Sequence, residues 1–178
     1  MTLDHLWAGW RNAYVSSLTS PVSGEGEVGA PMPDVPEGCV LCRIDASGLP
    51  SADNGVVARR ERCVTLLNAY PYAPGHVLVM PRRHVGSLAE LDGEERRDLW
   101  EMVGDAVRCI EAAYAPEGLN VGANLGAAAG AGIPRHLHVH ALPRWAGDTN
   151  FMTAVAGARV LPEALPDTWA KLRDAWPA

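Results

Sequence analysis

Residues 136–142 read His-Leu-His-Val-His-Ala-Leu, so three of the chain's six histidines fall at alternate positions. A period of two is the side-chain period of a β-strand. On a strand, His136, His138 and His140 point to one side, while Leu137, Val139 and Ala141 point to the other. The apolar side requires a core to cover it, and the imidazole side then lines a site. Alternate side chains on one face stand roughly 7 Å apart. Imidazoles that close resist being charged together, so at least one is neutral near pH 7 and free to act as nucleophile or metal ligand. A strand with a solvated, histidine-rich face would show the same alternation without any chemistry. So would a hydrolytic three-histidine zinc centre, but the strand must then twist strongly to bring three nitrogens to ~2.0–2.1 Å from one ion.

The stretch just upstream, GAAAGAGIPR, places Gly126, Gly130 and Gly132 among small residues. A loop of this kind lets backbone N–H groups approach an anion closely. It lacks the GxxxxGK[ST] pattern of a nucleotide-triphosphate loop. Beside a neutral imidazole, its expected task is to hold a phosphate under attack.

The rest of the chain sets the frame. Its 178 residues carry 15 basic and 21 acidic side chains, a net charge of −6, which argues against a broad nucleic-acid-binding surface. Apolar residues make up 48% of the chain, enough for one core, and no apolar run approaches a membrane span. The N-terminal residues lack the pattern of a secretion signal, so a soluble cytoplasmic protein is expected. Residues 1–38 are expected to form a helical arm, with Leu6, Trp7, Trp10 and Tyr14 at helical spacing behind Asp4, followed by a Pro/Gly-rich linker. Residues 39–178 are expected to form the catalytic domain.

Within that domain, CVTLLN (63–68) and HVLVM (76–80) read as strands around a Pro/Gly turn. Residues 92–114 read as a long helix, with Asp92 and Glu95 at capping-box spacing and a stripe of Leu99, Val103, Val107, Ile110 and Tyr114. Residues 118–125 read as a further strand, and residues 161–176 as a C-terminal helix with Pro162 in its first turn. This order predicts an antiparallel α+β sheet. Trp100 and Trp169 are expected in the core, and Cys63 and Cys109 as buried small hydrophobes. Arg82, Arg83, Arg135 and Arg144 flank the histidine region; each is read as a solvated charge, and together they offset local acidity. Asp148 and Asn150 are expected to stabilise the turn after the histidine strand.

HLHVHAL resembles the His-φ-His-φ-His-φ-φ signature of the histidine-triad (HIT) superfamily at every position. LNAYPYAPGHVLVMPRRHV is similar to the family's paired-strand region, and the segment from Gly118 to Met152 to its nucleotide-binding half. The opening LWAGWRNAYV and CVLC resemble the arm found in one bacterial branch, and PRWAGDTNFM resembles the bacterial branch that contains diadenosine tetraphosphate phosphorylases. The resemblance implies a HIT-like sheet with one long helix and a C-terminal helix, joined across a homodimer. It implies a nucleotidyl transferase acting on the α-phosphorus of an adenosine polyphosphate, or else a hydrolase of dinucleoside polyphosphates or nucleoside phosphoramidates, with inorganic phosphate or water as acceptor. By motif position His138 is the nucleophile, His140 touches the same phosphate, His136 orients the site or binds metal, and His76 supports the triad. Asn68 lies near the ribose, Asn124 and the loop at Gly132 hold phosphate oxygens, and Trp145 flanks the nucleotide. A non-catalytic nucleotide-binding protein is the reading of another class.

Cys39 and Cys42 form the chain's one C-x-x-C pair, so any zinc site needs two more ligands. The alternative is a pair of reduced thiols near a turn. In some family branches two cysteines, a histidine after the second strand and the first triad histidine bind zinc; the resemblance assigns these roles to Cys39, Cys42, His84 and His136.

Overall fold

The computed structural model describes residues 38–149 and 162–177. The arm and linker expected before Gly38, the tryptophans Trp7 and Trp10, and Asn150 lie outside the described residues.

Among the described residues, three α-helices and five strands follow in the order α1 (Val40–Ala46), β1 (Val56–Arg59), β2 (Cys63–Leu67), β3 (Val77–Pro81), α2 (Gly93–Tyr114), β4 (Gly118–Gly122), β5 (Val139–Arg144) and α3 (Leu165–Ala175). The strands form one antiparallel sheet in the order β1-β2-β3-β5-β4. The predicted α+β class holds.

The β2–β3 hairpin is closed by its turn residues. The Asn68 amide donates to the His76 carbonyl at 3.0 Å, and Asn68 Oδ1 accepts from the Tyr70 amide at 3.0 Å. Gly75 takes φ +78°, and a Cβ there would stand 2.7 Å from Cε2 of Tyr114, so the turn needs glycine for both conformation and space. Helix α2 begins with the expected capping box: Asp92 accepts from the Glu94 and Glu95 amides, and Glu95 reaches back to the Asp92 amide.

α2 buries Leu99, Met102, Val103, Ala106, Cys109 and Ile110 against Val77, Val79, Val139 and Ala141 of the sheet. The stripe is therefore rotated from the predicted one. Met102, Ala106 and Cys109 replace Val107, and Trp100 is 48% exposed rather than in the core. Trp169 packs partly against the core, as expected, and its Nε1 donates to the Val56 carbonyl at 2.8 Å. Arg173 donates to the Val57 carbonyl, so α3 covers edge strand β1. That helix starts at Leu165 with Pro166 in its first turn, and Pro162 lies in the preceding bend. The sheet's other face packs Val56, Val64, Leu66, Leu78 and Met80 against Cys39, Leu41 and Cys42 of the α1 region. Cys63 and Cys109 are buried free thiols, and burial pushes both up to about 12.

Two strand expectations are corrected. The 118–125 strand ends at Gly122, and the histidine strand begins at Val139, not His136. His136 instead closes a turn, its amide donating to the Ile133 carbonyl at 3.2 Å, and Leu137 donates to Val85 at 2.6 Å. The alternation still decides the faces: Leu137, Val139 and Ala141 join the core under α2.

Candidate active site and metal centre

Strand β5 lies beside β3, with His140 opposite Leu78. The ring of His140 therefore lies on the face away from α2. The rings of His138 and His140 stand 5.1 Å apart centroid to centroid, closer than an ideal strand would hold them. His76 is 1% exposed and lies 5.2 Å from His140.

The hydrogen bonds fix which ring nitrogens carry protons. The Tyr72 amide donates to His76 Nδ1 at 3.1 Å, so that nitrogen is unprotonated and Nε2 bears the hydrogen. His76 Nε2 then donates to His140 Nδ1 at 2.9 Å, which leaves the His140 proton on Nε2. His138 Nδ1 faces the His136 carbonyl at 2.7 Å. A carbonyl only accepts, so His138 is protonated at Nδ1 and has its lone pair at Nε2. Burial, reinforced by the neighbouring His138, holds His140 down to about 4. Burial also lowers His138, outweighing its hydrogen bond to His136. The pair thus offers one neutral nucleophilic nitrogen and one neutral N–H donor, 5.1 Å apart ring to ring.

His136 turns elsewhere. Its Nδ1 lies 3.3 Å from both Cys39 Sγ and Cys42 Sγ, and its Nε2 donates to the Pro81 carbonyl at 2.9 Å. His84 Nδ1 lies 3.2 Å from Cys42 Sγ, and the four ligand atoms all fall within 4.8 Å of one another. Ligand atoms of a tetrahedral zinc shell stand roughly 3.3–3.8 Å apart, so these residues fit a closed Cys2His2 site. The carbonyl bond from Nε2 fixes the His136 tautomer that presents Nδ1 to a metal. Burial raises the Cys39 thiol, but hydrogen bonds from His136 and the Cys42 amide overcome this and lower it. Burial and the neighbouring Cys39 raise the Cys42 thiol. The C-x-x-C pair sits at the start of helix α1, not merely near a turn. Among the described residues, the side chains gathered for a metal are Cys39, Cys42, His84 and His136 rather than the three triad histidines.

The other expected site residues are spread more widely. Asn68 Nδ2 stands 3.3 Å from His76 Nδ1, and so supports that histidine. Asn124 Nδ2 donates to the Gly130 carbonyl at 3.4 Å, tying the glycine loop to the end of β4. The Ala129, Gly130 and Ala131 amides are used in the loop's own turns, whereas Gly132 follows those turns. The structure does not bring Trp145 to the histidines; its ring packs edge-on to Tyr114 at 6.3 Å. Arg82, Arg83 and Arg144 pair with Asp45, Glu95 and Asp148, and Arg135 is exposed. Asp148 also accepts from the Trp145 amide at 3.2 Å, the turn-stabilising role expected of it.

Sequence reasoning did not pick out Tyr72 or Asn120. The Tyr72 ring lies 6.2 Å from His140, nearly parallel to it, and both residues line a groove of about 410 Å³. Asn120 enters because β4 pairs with β5 in the register Asn120↔Leu142, which the sequence alone did not show.

A neutral imidazole with its lone pair at Nε2 beside a histidine hydrogen-bond donor, on an antiparallel sheet backed by one long helix, defines a protein of the histidine-triad class. The HIT domain family model matches residues 50–147, and the chain belongs to this family. It is 38% identical over 178 residues to the AP-4-A phosphorylase of Mycobacterium tuberculosis, covering 98% of this chain and 85% of that protein. It is 37% identical over 93 residues to the bis(5'-nucleosyl)-tetraphosphatase (asymmetrical) of Schizosaccharomyces pombe, 52% of this chain and 50% of that one. A crystal structure of a Zn-bound histidine triad family protein from Mycobacterium smegmatis superposes with TM-score 0.62 at 26% identity, covering 78% of this chain and 92% of that chain.

Proposed function

We propose that the protein is a nucleotidyl transferase that splits dinucleoside tetraphosphates at the α-phosphorus, with inorganic phosphate as acceptor. The observation that carries this reading is the tautomer of His138, whose bond to the His136 carbonyl leaves Nε2 with the lone pair. Identity to the AP-4-A phosphorylase over 98% of the chain supports the substrate class.

In this reading His138 Nε2 attacks the α-phosphorus and forms a phosphoramidate, and the nucleoside triphosphate leaves with the electrons of the broken P–O bond. His140 Nε2–H, held in that tautomer by His76, donates to a phosphate oxygen as charge develops. Asn124 and the loop at Gly132 hold the remaining oxygens. Phosphate then attacks the same phosphorus, and the N–P electron pair returns to His138. Bound zinc would cross-link α1, the segment after β3 and the triad through Cys39, Cys42, His84 and His136.

Further parts of the reading are a catalytic unit comprising residues 39–178, a cytoplasmic location and a homodimer. No helix among the described residues is long and apolar enough to cross a membrane. Among the described residues, edge strand β4 pairs on one side only, and Val121 on it is 45% exposed, which supports joining of sheets there.

Product analysis with diadenosine tetraphosphate tests the function. Phosphate-dependent release of ADP and ATP is expected. AMP and ATP in phosphate-free buffer would make the protein a hydrolase instead, and no turnover would make it a binder.

A further inference from the structure

We infer that the groove beside His140 seats the polyphosphate of the leaving nucleotide, and that Arg144 makes the protein selective for polyphosphate over short leaving groups. This rests on the transfer reading above. The groove runs along the β4–β5 face from His140 to Arg144, with Asn120 and Asp148 on its walls. Those two ends are four residues apart on β5, roughly 13 Å along a strand, a span that a triphosphate and an arginine side chain bridge together.

Displacement at phosphorus is in line, so the leaving oxygen departs opposite the attacking nitrogen. With attack from His138, a leaving chain that passes the adjacent His140 enters this groove. The floor there is open. Gly122 pairs with His140 across the strands, and a Cβ added to it would meet no described residue within 4 Å. At the far end Arg144 is the cation among the described lining residues. Asp148 binds its Nε and Nη2 at 2.5 and 2.7 Å, and Asn120 accepts from Nη1 at 2.8 Å. The guanidinium is held in a fixed orientation, with one N–H on each terminal nitrogen still directed to neither of these partners. A polyphosphate is the chemical class that combines the length of this groove with the charge such a fork recognises. Once the triphosphate has left, the acceptor phosphate reaches the phosphorus through the same opening.

The test compares kcat/KM for diadenosine tetraphosphate and for the p-nitrophenyl ester of AMP, which carries the same adenylyl group without a polyphosphate. Arg144→Met should lower the value for the tetraphosphate roughly 10- to 100-fold while changing the ester less than about threefold. Gly122→Val, for which the structure has room, should show the same split by filling the groove beside His140. Equal losses on both substrates in both variants, or no loss on either, would overturn the inference. A wild-type protein inactive on both compounds would refute the transfer reading itself, a result distinct from active wild type with unselective variants.

Discussion

His138 Nδ1 lies 2.7 Å from the carbonyl oxygen of His136, while the ring of that same His136 stands 3.3 Å from two cysteine sulfurs. The proposed nucleophile and the Cys2His2 site therefore share one residue. Whatever anchors the His136 ring also anchors the carbonyl that sets the His138 tautomer. Purified protein is expected to contain about one zinc per chain, and chelation or Cys42→Ser should lower both the melting temperature and kcat. Metal analysis with thermal unfolding checks this; zinc-free protein with an unchanged melting temperature would contradict it.

In the proposed reaction His76 acts through His140. His76→Phe removes the donor to His140 Nδ1 and frees that ring to place its proton on either nitrogen. We expect kcat to fall roughly 10- to 100-fold with little change in KM, since the lost contact serves the transition state more than substrate binding. Steady-state kinetics would contradict this if KM rose while kcat held.

The acid side of the stability curve carries the signature of His140. Its folded value is about 4, below the ordinary histidine value near 6.5. Between those values the unfolded chain binds a proton that the folded chain refuses, so stability falls as pH drops from about 6.5 to 4. His140→Asn should flatten this part of the curve. Denaturant melts across that range would contradict the assignment if wild type and variant kept parallel pH dependence.

Gly75 lets the turn before His76 pass close to helix α2. Gly75→Ala sets a Cβ 2.7 Å from the Tyr114 ring at a φ of +78°. A cost of about 1–3 kcal/mol in unfolding free energy is expected. Tyr114→Leu in the same chain should recover part of it by removing the ring. An undiminished cost in the double variant would assign the penalty to backbone strain alone.

These relationships were unequally legible in the sequence. The alternation at 136–142 correctly divided core from site, because burial of Leu137, Val139 and Ala141 depends only on period. The Asp92–Glu95 capping box and the β2–β3 hairpin were likewise local signals. The displaced start of β5 was not local. His136 leaves strand geometry where it meets cysteines 97 and 94 residues away in the chain. Strand β1 has four residues, and its Val56, Val57 and Ala58 are all buried, so no alternation marks it before the charged run that begins at Arg59. Helix α2 exposes Trp100 because size and apolar character do not tell which flank of a helical stripe meets the sheet.

The central claim is a covalent bond between His138 and the nucleotide. Wild-type protein mixed with diadenosine tetraphosphate in phosphate-free buffer, quenched in base and weighed intact, should gain the mass of one adenylyl group. That adduct should disappear in acid and on adding phosphate, and should be absent from a folded His138→Ala protein. An adduct that persists in His138→Ala, or turnover by wild type with no adduct at any time, would contradict the account.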